Sequence, residues 1–136
     1  MLDLLPLRLQ PGDDLRRALE AALAAHGHTA AFVLSGIGSL DRAELRFAGA
    51  EQARLLQGDL EILTLTGSIA SNGAHLHASL SDAQGRVLGG HVAHGCRVRT
   101  TAEVLLALLP GWHFSRAPDA HTGYAELNMH RSSPAI

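Results

Sequence analysis

The chain has 136 residues, 46% of them hydrophobic, which is enough for one domain with its own core. Its single cysteine, Cys96, excludes an intramolecular disulfide and a cysteine-based zinc site, and we expect it to be a buried apolar side chain. The formal net charge of −2 argues against a domain that binds nucleic acid through an overall basic surface.

Nothing in the sequence indicates a membrane or an export route. No apolar run reaches the roughly 18 residues that a membrane-spanning helix needs. The N-terminal stretch "MLDLLPLRLQPGDD" lacks the basic start and the small-residue cleavage site of a signal peptide. We therefore expect a cytoplasmic protein without a membrane partner.

The N-terminal part of the chain predicts one strand and one helix. Leucines alternate with polar residues in "LPLRLQ", which is typical of a half-buried strand. Leucine and alanine then recur at helical spacing in "LRRALEAALAA". Asp13 or Asp14 is suited to cap the start of this helix, and Gly27 is suited to end it.

Beyond the helix, short alternating segments indicate strands. We expect them at "AAFVLSGIGSL", with a glycine-rich turn at Gly36–Ser39, and then at "AELRF", "GDLEILTLTGSIA" (closed by Gly67), "HLHASLS", "RVLGGHV", "CRVRTTAEVLLALL" and "GYAELNM". Of these, "TAEVLLALL" is also compatible with a helix. Because no βαβ alternation occurs, the sequence predicts an α+β fold, mainly an antiparallel β-sheet with the N-terminal helix packed on it. We expect residues 1–136 to form a single domain, with 131–136 as a disordered tail.

The strand "HLHASLS" separates two kinds of side chain. Because side chains alternate across a strand, His75 and His77 share one face with two serines. The other face carries Leu76, Ala78 and Leu80, and it is wholly apolar. We therefore expect the two histidines to point away from the core.

A third histidine, His91, can join them through a hairpin. The turn Asp82–Gly85 favours antiparallel pairing in which Asp82 lies opposite Arg86. In that register His77 faces His91 at the spacing of a cross-strand pair. A shift of one residue, or a bulge at the pair of glycines before His91, would turn this imidazole to the other face.

Three converging imidazoles suit a zinc ion with one open coordination position, and nickel, copper or iron could accept the same ligands. Alternatively, the three histidines make ordinary hydrogen bonds on a polar sheet face. Glu61 and Glu103 are either structural or carboxylates that orient a histidine or act as a base. His94 has the wrong offset to be a ligand.

Arg97 and Arg99 alternate with buried positions and therefore share an exposed face. They are either solvated or in contact with an anion, another subunit or DNA.

In its order of motifs the chain resembles the PPC domain, the "plants and prokaryotes conserved" family. The motifs are "SGIGSL", "EILTLTGSIA", "HLHASLSDAQGRVLGGHV", "GCRVRTTAEV" and "TGYAELN". The resemblance implies an α+β homotrimer in which His75, His77 and His91 hold a metal, with zinc as the expected ion. Plant members carry an Arg-Gly-Arg-Pro hook that binds DNA, and this chain has no such motif.

Three functional hypotheses follow, and the sequence leaves substrate and reaction open. The first is a metal-binding PPC homotrimer, in which zinc would lower the pKa of a bound water and allow hydrolysis or lyase chemistry. The second is a DNA-associated regulatory module with Arg97 and Arg99 at the contact. The third is a structural trimer whose histidines are only polar.

Overall fold

Eight strands and one helix make up residues 3–132, the part of the chain that the computed structural model describes. In chain order they are β1 (Asp3–Leu9), α1 (Leu15–Ala25), β2 (Ala30–Arg46), β3 (Arg54–Ala70), β4 (Gly73–Ser81), β5 (Val87–Val92), β6 (Arg97–Leu108), β7 (Trp112–Pro118) and β8 (Ala125–Arg131). Every strand pair is antiparallel, so the predicted α+β fold is confirmed.

The main sheet has six strands in the order β1-β6-β2-β3-β4-β5, and β7 pairs with β8 in a separate hairpin. The end of β2 also pairs with β5, through Leu45 with Val92 and Arg46 with His91. Strands β2 to β5 are therefore joined in a closed ring, and this closure places Arg46 directly opposite His91.

Helix α1 packs one stripe of leucines against the sheet. Leu15, Leu19 and Leu23 are at most 2% exposed and belong to the main core. The carboxylate of Asp14 accepts a hydrogen bond from the backbone amide of Arg17, which satisfies a free donor of the first turn. Gly27 follows the last turn with a φ of 71°, so the predicted cap and end of the helix are confirmed.

Aliphatic side chains fill the core between the helix and the sheet. From β4 the core receives Leu76, Ala78 and Leu80, the face that we predicted to be buried. Cys96 is fully buried among these side chains, as predicted. Burial raises the pKa of its thiol to about 11, so the thiol is protonated at neutral pH.

Two glycine-rich segments differ from the sequence prediction. The predicted turn at Gly36–Ser39 is wrong, since β2 runs through it and continues into "AELRF". The pairing of β2 with β6 shifts register on both sides of these glycines. A Cβ at Gly38 would lie 2.5 Å from the carbonyl oxygen of Thr101. Likewise β3 continues past Gly67 to Ala70. In both cases glycine allows a close approach of strands rather than a turn.

The C-terminal part contains a hairpin of which only the second strand was predicted. Strand β7 was missed, whereas "TAEVLLALL" is a strand in β6, as expected. Strand β8 ends at Arg131, which pairs with Trp112, and the amide of Ser132 donates to Gly111. The rest of the predicted tail, 133–136, lies outside the described residues. The single helix has 11 residues, and nothing helical within 3–132 has the length and apolar character to cross a bilayer.

Candidate metal centre and the cavity beside it

The turn between β4 and β5 sets the register of the histidines. The amide of Asp82 donates to the carbonyl of Arg86, and the amide of Gly85 donates to the carbonyl of Asp82. The carboxylate of Asp82 further accepts from the amides of Gln84 and Arg86. The pairing of His77 with His91 follows from this turn, so the predicted register is confirmed.

The three predicted histidines come together on the outer face of the sheet. His77 Nε2 and His91 Nδ1 are 3.2 Å apart, and one ring nitrogen from each of the three residues lies within 4.8 Å of the others. The rings of His75 and His91 are stacked with centroids 5.2 Å apart, and the ring of His77 is nearly perpendicular to both. Ring nitrogens of three side chains on two strands, β4 and β5, thus converge on one point.

The surroundings of His75 and His91 favour the neutral imidazole. Burial lowers the pKa of His75 first, and the positive charge of Arg116 lowers it further. Burial also lowers the pKa of His91, with Arg46 as the next cause. Since the neutral form carries the free lone pair, these rings are in the protonation state that binds a metal at neutral pH.

The cluster fits a metal ion of zinc size. Two nitrogens bound at about 2.1 Å to one ion can be at most about 4.2 Å apart. The separation between His77 and His91 is within this limit, and one nitrogen of His75 lies within 4.8 Å of a nitrogen of each of the other two. The donor set also fits, because imidazole nitrogen is a usual ligand of zinc.

The structure does not bring the other sequence candidates to the histidines. His94 pairs with the carboxylate of Glu20 at 3.1 Å. Glu61 and Glu103 line a separate depression of about 450 Å³, with Ile37, Leu63 and Thr100 among its other residues. Glu61 is five positions from Thr66, the partner of His77, so it lies about 16 Å along the strand.

Acidic neighbours pair with both arginines of the predicted exposed face. Arg97 donates to the carboxylate of Asp41 at 2.7 Å. Arg99 lies 3.4 Å from Asp59 and 3.8 Å from Glu61. These carboxylates compensate the positive charge that a DNA contact would need.

A cavity of about 750 Å³ adjoins the histidines and was not predicted from the sequence. His75 and His91 form part of its wall. Its charged lining residues are Arg16 from α1, Arg46 from the end of β2, Arg116 from β7 and Glu126 from β8. No local pattern marks these arginines, because they meet only through the closure of the sheet and the position of the β7–β8 hairpin.

Comparison with known proteins places the chain in a family. Residues 2–110 match the Plants and Prokaryotes Conserved (PCC) domain. The bifunctional protein GlmU of Synechococcus sp. (strain JA-3-3Ab) is 48% identical over 130 residues, which are 96% of this chain and 21% of that protein. The chain therefore spans about a fifth of the length of this curated relative.

Solved structures have the same fold over nearly the whole chain. A hypothetical protein from Salmonella enterica superposes with a TM-score of 0.92 at 39% identity, covering 96% of this chain and 95% of that one. A metal-containing protein from Archaeoglobus fulgidus gives 0.81 at 32% identity, covering 91% of each chain. A protein from Bacteroides thetaiotaomicron with a provisional DNA-binding label also gives 0.81, covering 94% and 97%, but its 20% identity shows the fold alone. The chain belongs to the Plants and Prokaryotes Conserved (PCC) domain family, as its motifs indicated.

Proposed function

We propose that this chain is a metal-binding PCC-domain protein in which His75, His77 and His91 hold zinc. The observation that carries the proposal is the convergence of three imidazole nitrogens within 4.8 Å. The relative from Archaeoglobus fulgidus, described as metal-containing and 32% identical, supports it. Nickel, copper and iron also bind imidazole, so zinc is the first metal to test.

The backbone prepares the three ligands for one ion. His75 and His77 are held by the β3–β4 ladder, and His91 by pairing with both β4 and β2. On the opposite face of β4 the buried leucines keep the strand from rotating. With three protein ligands, a zinc ion keeps an open position at which it acts as a Lewis acid.

Metal analysis of protein purified without an affinity tag tests the proposal. We expect close to one zinc per chain in the natural sequence and a large loss in His77→Ala. His94→Ala is the matched control, since it removes a histidine near β5 whose partner is Glu20. Absence of any metal from the purified protein, or equal metal content in His77→Ala, would contradict the proposal.

We further propose that the chain assembles as a homotrimer. Apolar side chains on two neighbouring strands support this, since Leu34, Ile37 and Leu63 are 45–54% exposed. Contiguous exposed apolar side chains mark an interaction surface more often than a free one. Sedimentation equilibrium is expected to give three chain masses, and Leu34→Asp is expected to lower that mass. A natural sequence that sediments as one chain at micromolar concentration rules the trimer out.

DNA binding has less support from this chain. Arg97 and Arg99 are paired with carboxylates, and the net charge is negative. We expect no binding to duplex DNA even at low salt, where phosphate contacts are strongest. Fluorescence anisotropy with a labelled duplex measures this, and binding that weakens steeply with added salt would favour the DNA-associated role instead.

A further inference from the structure

We propose that the cavity beside the histidines binds a small organic anion through the guanidinium groups of Arg46 and Arg116. The anion would carry a carboxylate or a phosphate group. Its position next to a metal rests on the zinc site proposed above, whereas the charge of the cavity is independent of that site.

Arg46 brings one positive charge next to the imidazole of His91. It is the last residue of β2, and its backbone pairs with that of His91. Its guanidinium donates to the carbonyl of Ala50 at 3.1 Å, so one side of the group is anchored. Among residues 3–132 no carboxylate oxygen lies within 4.0 Å of its guanidinium nitrogens.

Arg116 brings a second positive charge from the β7–β8 hairpin. Its Nη2 donates to the hydroxyl of Ser68 at 2.7 Å, and its backbone amide donates to Asn72. Ser68 pairs with His75, so this contact ties the arginine to the strand beside the histidines. The Nε of Arg116 is buried and has no acceptor among the described residues, and no carboxylate there lies within 4.0 Å of the guanidinium.

The other two charged groups of the cavity, Arg16 and Glu126, do not cancel the charge of Arg46 and Arg116. Arg16 is compensated, because its Nε donates to Glu20 at 2.9 Å and its Nη1 donates to the carbonyl of Val92. Glu126 is the single carboxylate among the lining residues, and it accepts from the hydroxyl of Thr122. The cavity therefore has two guanidiniums without an ion pair within 4.0 Å and one carboxylate, Glu126, which acts on Arg116 from a greater distance, in a chain whose net charge is −2.

This local excess of positive charge identifies the ligand class. A guanidinium binds a planar carboxylate or a phosphate through parallel hydrogen bonds. The volume of about 750 Å³ is that of a small-molecule site, which typically measures about 300–1,000 Å³. A metal ion on the histidines would add further positive charge, so the anion would bind with one end at the arginines and the rest near the imidazoles.

Calorimetric titration with succinate, inorganic phosphate and the neutral analogue succinamide tests the inference, on zinc-loaded and zinc-free protein. We expect the two anions to bind and succinamide not to bind. Arg46→Gln and Arg116→Gln are each expected to weaken anion binding about tenfold or more, the usual cost of a charge-assisted hydrogen bond. Arg17→Gln is the matched control. The side chain of Arg17 is 69% exposed and lies outside the cavity, so this variant removes an arginine without changing the lining of the cavity.

The zinc content of each variant separates this inference from the metal proposal. Anion binding that is lost in Arg46→Gln, with zinc content and circular dichroism unchanged, supports the cavity. Anion binding by zinc-free protein that Arg46→Gln still abolishes supports the cavity even if the metal site fails. The inference is overturned if the protein binds neither anion with or without zinc, or if Arg46→Gln, Arg116→Gln and Arg17→Gln all bind as the natural sequence does.

Discussion

The cavity beside the histidines and the depression around Glu61 differ in the sign of their charges. The cavity has three arginines and one glutamate among its lining residues, whereas the depression has Glu61 and Glu103 and no basic residue among its own. Strand β3 runs past both, since Ser68 lies beside His75 and Glu61 lies at the depression. One long strand therefore serves two surfaces whose ligands should differ in charge.

The difference teaches that neighbouring positions on a curled sheet need not share a site. A carboxylate near metal-binding histidines is a common arrangement, and Glu61 lies between the apolar residues Leu60 and Ile62. Yet after burial the largest effects on the pKa of His75 and His91 come from Arg116 and Arg46, which lower it, while Glu126 raises the pKa of His75 by a smaller amount. This favours an anionic ligand at the cavity rather than a carboxylate supplied by the chain.

The largest expected effects come from two glycines, one beneath each surface. A Cβ at Gly67 would overlap the carbonyl oxygen of His75, and one at Gly38 would lie 2.5 Å from that of Thr101. Both glycines have a φ that other residues rarely adopt, 146° and 156°. We therefore expect Gly67→Ala and Gly38→Ala each to lower the free energy of unfolding by about 3 kcal/mol or more in urea denaturation.

The two glycine variants should differ in metal binding. In Gly67→Ala the backbone of His75 must move, so zinc affinity is expected to fall in the fraction that remains folded. Gly38→Ala should leave zinc affinity unchanged, because its strain falls on β6 at the depression. Equal losses of zinc affinity in the two variants would show that the surfaces are coupled, and the comparison would fail.

An intermediate effect is expected at Glu20, which joins the helix to the cavity side of the sheet. Its carboxylate accepts from Arg16, from the amide of Ala74 and from His94. Glu20→Gln is expected to lower the free energy of unfolding at pH 7 by about 1–2 kcal/mol, the range for hydrogen bonds to a partly exposed charge.

The contribution of Glu20 should depend on pH in a defined direction. Burial opposes ionisation of this carboxyl, but the hydrogen bonds outweigh burial and bring its pKa below the ordinary value of 4.5. Its stabilisation is therefore complete above about pH 4.5 and is lost as the pH falls through the lower folded-state pKa. The difference between Glu20→Gln and the natural sequence should shrink at pH 3, and a difference that persists there would exclude the ionised carboxylate as its source.

The smallest effects are expected at the depression. Glu61→Gln and Glu103→Gln should leave zinc affinity within about twofold, whereas a carboxylate that orients a ligand typically contributes 10- to 100-fold, roughly. Competition with a fluorescent zinc chelator measures these affinities. A tenfold loss of zinc affinity in either variant would show that the depression contributes to the metal site. Contact between subunits would then be the first explanation to examine.

Local patterns predicted the parts of the candidate site that local geometry controls. Alternation along β4 placed His75 and His77 on the outer face, and the Asp82 turn fixed the partner of His77. The cap at Asp14 and the end at Gly27 also follow from single residues with well-defined backbone preferences.

Features that depend on distant pairing could not be predicted in this way. Gly36 and Gly38 indicated a turn because the close approach of Leu65 from β3 to Gly36, and of β6 to Gly38, cannot be read from β2 alone. Arg46 and Arg116 reach the cavity from strands that are far apart in the chain, so no spacing in the sequence predicts that they meet. Strand β7 was missed because its alternation of Trp112 and Phe114 with polar residues covers only four positions and ends at Arg116.

The closure of β2 on β5 makes the integrity of the candidate site a question of local unfolding. Only two residue pairs join these strands, and one of them is Arg46 with His91. If this short ladder opens while the rest of the sheet stays paired, Arg46 moves away from His91, and both proposed binding sites are disturbed in one step. The amide of Ala93 donates to the carbonyl of Glu44 at the next position of this ladder. Hydrogen exchange at Ala93 would then report how often the proposed metal and anion sites are lost together without global unfolding, and a bound anion or metal should slow that exchange.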